Sequence, residues 1–194
     1  ARIEEICLNS ISIIVQYLPM LLNELNNIKY REAMGIATDL GGYALMLGGT
    51  SGAHLNSFSM VDLTSHGRAC AILNPYYTVF YSPAIQNQLE KLAPIFKPYM
   101  PKITGTDPRS LGEAVAQAML NFYRYIGFPV KLTQLKGYDS GLIDKILNDA
   151  KNPQLAMKLK SMPVALDPEN VDQFMGPILK AAESGQLNLV KNMD

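Results

Sequence analysis

The stretch Gly49-Thr-Ser-Gly-Ala-His-Leu-Asn-Ser-Phe-Ser-Met-Val-Asp-Leu-Thr-Ser-His-Gly-Arg-Ala-Cys-Ala-Ile-Leu-Asn-Pro75 decides how this chain is read. It holds both histidines of the sequence, His54 and His66, in an apolar setting flanked by glycine. On one straight helix, their separation in sequence would put them about 18 Å apart along the axis. Two imidazoles that share a metal ion must each lie about 2 Å from it. Both can grip one ion only if the chain turns between them. Thr64-Ser65 supplies a turn, with Ser65 placed to cap a helix opening at His66. The expectation is His54 on one helix and His66 at the start of the next.

Two imidazoles are too few for a catalytic metal, which wants three or more protein ligands and an open position. Asp62 stands four residues before His66, and Asp39 is a weaker candidate. On spacing alone the alternative stays open that each histidine is an ordinary core or surface residue. Cys70 reads as a packed core cysteine.

Outward from this stretch, apolar residues recur at helical spacing almost throughout. Ile3, Ile6, Cys7, Ile14, Leu18, Leu21 and Leu25 form one stripe, with a kink or break expected at Pro19. A second helix is expected over 30–47, ending in the glycine cluster Gly48, Gly49 and Gly52. The helix after Ser65 carries Ala69, Ile72, Leu73, Tyr76, Val79 and Phe80, with Pro75 as a kink. Ser82-Pro83, Asp107-Pro108, Asn152-Pro153 and Asp167-Pro168 each read as a cap followed by a first-turn proline, and Ser140 reads as a further cap. The last helix is expected to stop near Ser184, with Gly185 just beyond it. No strand alternation, repeat or linker is evident. The fold class is therefore all-α, a helical bundle forming a single domain over 1–194.

Composition narrows the function classes. Lys+Arg and Asp+Glu both number 17, so the formal net charge is zero. That balance argues against a nucleic-acid surface and against a polybasic membrane patch. No uninterrupted apolar run reaches the roughly 18 residues needed to span a bilayer. Arg2, Glu4 and Glu5 lead into an amphipathic stretch rather than a signal peptide. Two cysteines, Cys7 and Cys70, make no disulfide framework, so the expected compartment is cytoplasmic. Ala1 to Glu5 read as the interior of a helix without a cap, which suggests that residues precede Ala1.

The run Gly49 to His54, followed by Ser65-His-Gly-Arg-Ala-Cys-Ala-Ile-Leu-Asn-Pro75, resembles the signature of the iron-containing (group III) alcohol dehydrogenases. In that family a glycine-rich helix delivers one metal-ligating histidine and a His-Gly-x-Ala segment delivers the next. His54 and His66 fall on those positions. The resemblance extends to Glu32-Ala-Met-Gly35 and to Pro168-Glu-Asn-Val171, so it covers essentially the whole chain. It implies the C-terminal domain of a fold shared with dehydroquinate synthase-like enzymes. It also implies a divalent metal (Fe2+ or Zn2+) held by one Asp and three His, and NAD or NADP carried by an N-terminal nucleotide-binding domain.

The Asp-x-x-x-His motif that supplies the first two ligands is absent here, which makes Asp62 a bystander. The implied activity is interconversion of a small alcohol and an aldehyde or ketone, with possible assembly into a homo-oligomer. With half the ligands and the nucleotide site missing, this stretch alone is expected to be inactive and to bind metal weakly or not at all. Two departures bear on substrate. Phe58 stands where many members carry a further histidine near the nicotinamide, which makes it a candidate substrate-pocket residue. The histidine spacing is also about two residues shorter than the common form, with Ser65 in place of a proline. Two other readings stand beside this one: a non-redox lyase of the dehydroquinate synthase type, and a non-catalytic helical interaction domain.

Overall fold

A computed structural model describes residues 2–103 and 105–193. Its regular structure is entirely helical: nine α-helices joined by turns and short 3-10 segments among the described residues. The chain opens with a hairpin of α1 (Arg2–Asn23) and α2 (Ile28–Gly48). Helix α1 runs through Pro19 without breaking. The Asn27 side chain accepts from the Tyr30 N–H at the start of α2, and Ser10 Oγ donates to the Ala37 carbonyl at 2.8 Å to tie the hairpin together. The expectation that Ala1 lies inside a helix falls outside the described residues.

Next come α3 (Gly52–Ser57) and α4 (His66–Tyr81). Nine of the sixteen residues of α4 are buried, over most of its circumference, and a stripe of Gly67, Ala71, Asn74 and Thr78 is left more open. It packs against α3, α6 (Pro108–Tyr125) and α9 (Val171–Ser184). The main core joins Ile72, Leu73, Tyr76 and Phe80 of α4 to Met175, Ile178 and Leu179 of α9. A smaller cluster of Val15, Phe96, Ala118 and Phe122 seats α1 on α6. The remaining helices are α5 (Gln86–Leu92), α7 (Leu142–Ala150) and α8 (Ala156–Lys160).

The end of α4 is closed by the C-terminal tail. A helix end leaves its last carbonyls without intrahelical partners. Asn192 Nδ2 donates to the carbonyls of Val79 and Phe80 at 2.8 and 2.9 Å, and Arg109 Nη1 holds Asn192 Oδ1 at 2.6 Å. The helix carrying His66 is thus anchored at the end opposite to it.

Several boundaries differ from the sequence expectation. Asp107 caps α6 as expected, its carboxylate accepting from the Ser110 N–H. Ser82-Pro83 opens no helix; Ser82 Oγ donates to the Val79 carbonyl and α5 starts only at Gln86. Ser140 caps nothing: Gly141 precedes α7, and its N–H is taken by Asp139. Asn152-Pro153 opens only a 3-10 turn. Asp167 and Asn170 exchange reciprocal side-chain bonds to each other's N–H, which makes a closed turn and delays α9 to Val171. Gly185 ends α9 in the left-handed region at φ 82, as its position predicted.

By length and a mean hydropathy of 1.5 alone, α1 would pass as a membrane-crossing helix. The absence of a long uninterrupted apolar run does not reveal this, because Asn9, Ser10, Ser12 and Gln16 interrupt a helix that is apolar on average. Those same interruptions give α1 a polar side, and Ser10 is spent on a bond to α2.

Candidate metal centre

The close approach of α3 to α4 starts at a glycine. A Cβ on Gly52 would stand 2.2 Å from Tyr77 Cε1 and 2.7 Å from the Tyr81 hydroxyl, so only glycine lets α3 lie this near. The Gly52 N–H donates to Tyr81 Oη at 3.1 Å, and Tyr81 donates onward to Met162 Sδ. Burial pushes the Tyr81 phenol up to about 12, so it stays neutral. One turn on, Asn56 accepts from the Tyr77 hydroxyl at 2.5 Å and donates to Met175 Sδ. With Ala53, Leu55, Asn56 and Ser57 buried, the face of α3 bearing His54 is the one left half-open.

The chain then reverses through a 3-10 turn at Phe58–Met60, anchored by the fully buried Met60, whose carbonyl accepts from the N–H groups of Leu63 and Thr64. Ser65 precedes α4 in extended conformation, but its side chain caps no N–H. The reversal brings the two imidazole rings to 4.6 Å between centroids, edge to face at 86°. Phe58 lies edge-on to His54 at 5.0 Å and stacks along His66 at 6.2 Å. It is 42% exposed, carries the Lys158 ammonium of α8 over its ring, and lines a small cavity with Asn56, Asp149 and Asn152.

Ser57 sets the orientation of His66. Its hydroxyl lies 2.6 Å from the His54 carbonyl and 2.9 Å from His66 Nδ1. A hydroxyl has a single proton. The carbonyl can only accept, so that proton goes to it, and Nδ1–H of His66 donates to Ser57 Oγ. This assigns the tautomer: Nε2 of His66 is left with its lone pair, the ligating form that a hydrogen bond to the other ring nitrogen selects. For His54, desolvation lowers the pKa, and repulsion from His66 and Lys158 lowers it further, so the ring is neutral at neutral pH.

Asp62 is fully on the surface, 3.7 Å from Lys145, and Asp39 is exposed on α2. Neither belongs to the group formed by His54 and His66. The residue that does is Cys70, one turn after His66. The potential ligand atoms of His54, His66 and Cys70 all lie within 4.8 Å of one another, and Cys70 Sγ is 3.8 Å from His66 Nε2. Sequence reasoning passed Cys70 over as core filling; the available signal was its spacing from His66, which puts both on one helix face. Burial pushes the Cys70 thiol up.

A family model for the Fe-containing alcohol dehydrogenase family, C-terminal, matches residues 3–165. The chain belongs to this family. The matched segment spans α1 through α8, whereas α9 lies beyond it. Two solved structures share the fold. An alcohol dehydrogenase from Oenococcus oeni superposes with a TM-score of 0.74 at 22% identity, over 92% of this chain and 44% of its own. An archaeal halo-thermophilic alcohol dehydrogenase from a Red Sea brine pool gives a TM-score of 0.74 at 18% identity, over 93% of this chain and 44% of its own. The chain therefore spans under half the length of these dehydrogenases. No curated protein sequence matches it.

The family implies a metal and a nicotinamide nucleotide, and the described residues suit the two differently. Two converging imidazoles, one of them oriented through Nδ1 by Ser57, are a fitting donor set for a divalent d-block ion. A dinucleotide needs a strand, a glycine-rich loop and free N–H groups at a helix start. No strand exists among the described residues. The nearest glycine cluster is already used: Gly49 ends α2 with φ 76, and Gly52 is pressed on Tyr77 with its N–H bonded to Tyr81.

Proposed function

We propose that this chain is the metal-holding half of an NAD(P)-dependent alcohol dehydrogenase, interconverting a small alcohol and its aldehyde or ketone by hydride transfer. The observation that carries this reading is the convergence of His54 and His66 from two helices to ring centroids 4.6 Å apart. A bound Fe2+ or Zn2+ supplies a Lewis acid, which eases deprotonation of an alcohol and polarises a carbonyl. The chain's own residues do the rest on this side of the reaction. His54 and His66 hold the ion, Ser57 keeps His66 Nε2 turned outward, and the Gly52–Tyr77–Tyr81 contact fixes α3 against α4. Phe58, beside both rings, is an apolar wall for the substrate and offers no proton.

The nucleotide-binding half, and any further metal ligands, are assigned to protein outside these residues. The coverage of 44% of each dehydrogenase neighbour supports this. So does the large apolar surface left open on the α1–α2 hairpin. On this reading the intact enzyme works in the cytoplasm on a small-molecule substrate.

Alcohol-dependent reduction of NAD+ or NADP+, followed by nicotinamide absorbance in the protein that joins this chain to its nucleotide-binding half, tests the reading. Wild type is expected to turn over, and His66→Ala to lose about 1000-fold or more, the scale of losing a central catalytic group. Consumption of substrate without net cofactor reduction would replace the dehydrogenase with the lyase.

A further inference from the structure

We propose that Cys70 is a third protein donor of this site, so that His54, His66 and Cys70 hold a zinc-class divalent ion within this chain. The inference rests on the metal reading above and adds to it a ligand outside the one-Asp, three-His set that the family resemblance implies. It also replaces the expectation that this stretch binds metal weakly or not at all.

The geometry carries it. His66 and Cys70 are one turn apart on α4, so their side chains rise from the same face. The Ser57 bond to Nδ1 leaves the lone pair of His66 on Nε2, the nitrogen 3.8 Å from Cys70 Sγ. Ions held at about 2.3 Å from sulfur and about 2.0 Å from nitrogen in a tetrahedron need the two donors about 3.5 Å apart. The pair stands a few tenths of an ångström wider than that. All three potential donor atoms fall within 4.8 Å of one another, so closing the set takes side-chain rotation of about 1 Å. His66 is exposed and His54 and Cys70 are half-buried, which leaves room for that rotation and an open fourth position for solvent or substrate.

The chemistry balances simply. The thiol gives its proton to solvent as sulfur bonds the ion, and nothing is oxidised or reduced. Three protein donors plus one open position is the arrangement of catalytic rather than structural zinc. A thiolate in place of a carboxylate shifts preference toward zinc, cobalt and iron, and away from magnesium and calcium.

Cobalt titration of the 194-residue chain at neutral pH tests this, because a cysteine thiolate bound to Co2+ gives an intense near-ultraviolet charge-transfer band that imidazoles do not. One equivalent of Co2+ is expected to bind with that band. Cys70→Ser should lose the band and weaken binding by about 10-fold or more, at least the loss typical of an outer-sphere partner. Cys7→Ser should change neither. Cobalt binding that depends on His54 and His66 but shows no charge-transfer band would sink the cysteine and leave the histidine reading standing. A band that survives Cys70→Ser and disappears in Cys7→Ser would sink it equally. No binding at all would overturn the proposal that His54, His66 and Cys70 hold the ion within this chain, and would leave the two-histidine reading to be tested in the protein joined to its nucleotide-binding half. Should Cys70→Ser fail to fold, zinc-edge X-ray absorption on the wild-type chain decides: a sulfur neighbour at about 2.3 Å supports the proposal, and a shell of nitrogen and oxygen alone overturns it.

Discussion

Helix α4 and the α1–α2 hairpin are both rich in large apolar residues, yet they live in different surroundings. Nine of sixteen residues in α4 are buried. In α1 the buried residues are Ser10 and Val15, and in α2 they are Ala37 and Ala44. Ile28 and Met46 are 71% and 82% exposed. Helical periodicity announces both elements equally well, because it reports which residues share a face and not whether anything lies against that face. The difference has a functional side. On the function proposed above, the buried helix has to hold His66 rigidly for a metal ion, whereas the hairpin offers its apolar surface to another domain.

The contrast can be broken by mutation. Leu73→Ala, in the centre of α4 with no exposed surface, should cost about 2–5 kcal/mol in urea unfolding, by loss of burial and by the cavity left behind. A cost under about 1 kcal/mol would mean that the core around the site is loose. Gly52→Ala drives a methyl into Tyr77 and Tyr81 and should cost about 1–3 kcal/mol, with a parallel loss of metal affinity as α3 lifts away from α4. Unchanged affinity in a destabilised variant would detach the glycine from the site. Tyr77→Phe leaves the buried Asn56 carbonyl oxygen without its partner and should cost about 1–3 kcal/mol.

Smaller effects sharpen the same comparison. The lowered pKa of His54 means that the unfolded chain takes up this proton before the folded chain does. Stability from this residue is therefore complete above the ordinary histidine value of about 6.5 and falls as pH drops through it. An NMR titration of the metal-free chain should give His54 a midpoint below that value, and His66→Gln should raise it by removing a neighbouring charge. A midpoint at or above the ordinary value would contradict the close approach of the two rings. Smallest of all, Met46→Ser on the open face of α2 should change stability by under about 0.5 kcal/mol, measured in the same urea experiment. A loss comparable to that at Leu73 would mean the hairpin is covered in solution.

How much of this was written in the sequence differs from element to element. A turn between the histidines was legible, because a shared ion demands it, but its place was not: the chain reverses from Phe58–Met60 onward, and Ser65 caps no N–H. Asp107 and Gly185 were legible because a side-chain carboxylate at a helix start and a left-handed residue at a helix end are local needs. Ser82, Ser140 and Asp167 misled for a shared reason. A short polar side chain can bond to whichever backbone group is near: Ser82 and Asp167, each beside a proline, spend themselves on turns, and Ser140, beside Gly141, caps nothing. Cys70 was hidden in a different way. Its spacing from His66 was visible, but spacing could not tell a packed thiol from one facing an imidazole whose proton Ser57 holds on the far nitrogen. The exposure of the hairpin was not legible at all, since it depends on what else packs nearby.

The central claim is that one ion sits between His54 and His66. Zinc-edge anomalous diffraction from crystals of the 194-residue chain grown with zinc measures it most directly. The account predicts a single strong peak within bonding distance, about 2 Å, of one ring nitrogen on each histidine. A peak elsewhere with these two rings bare, or rings turned apart with no peak between them, would contradict it.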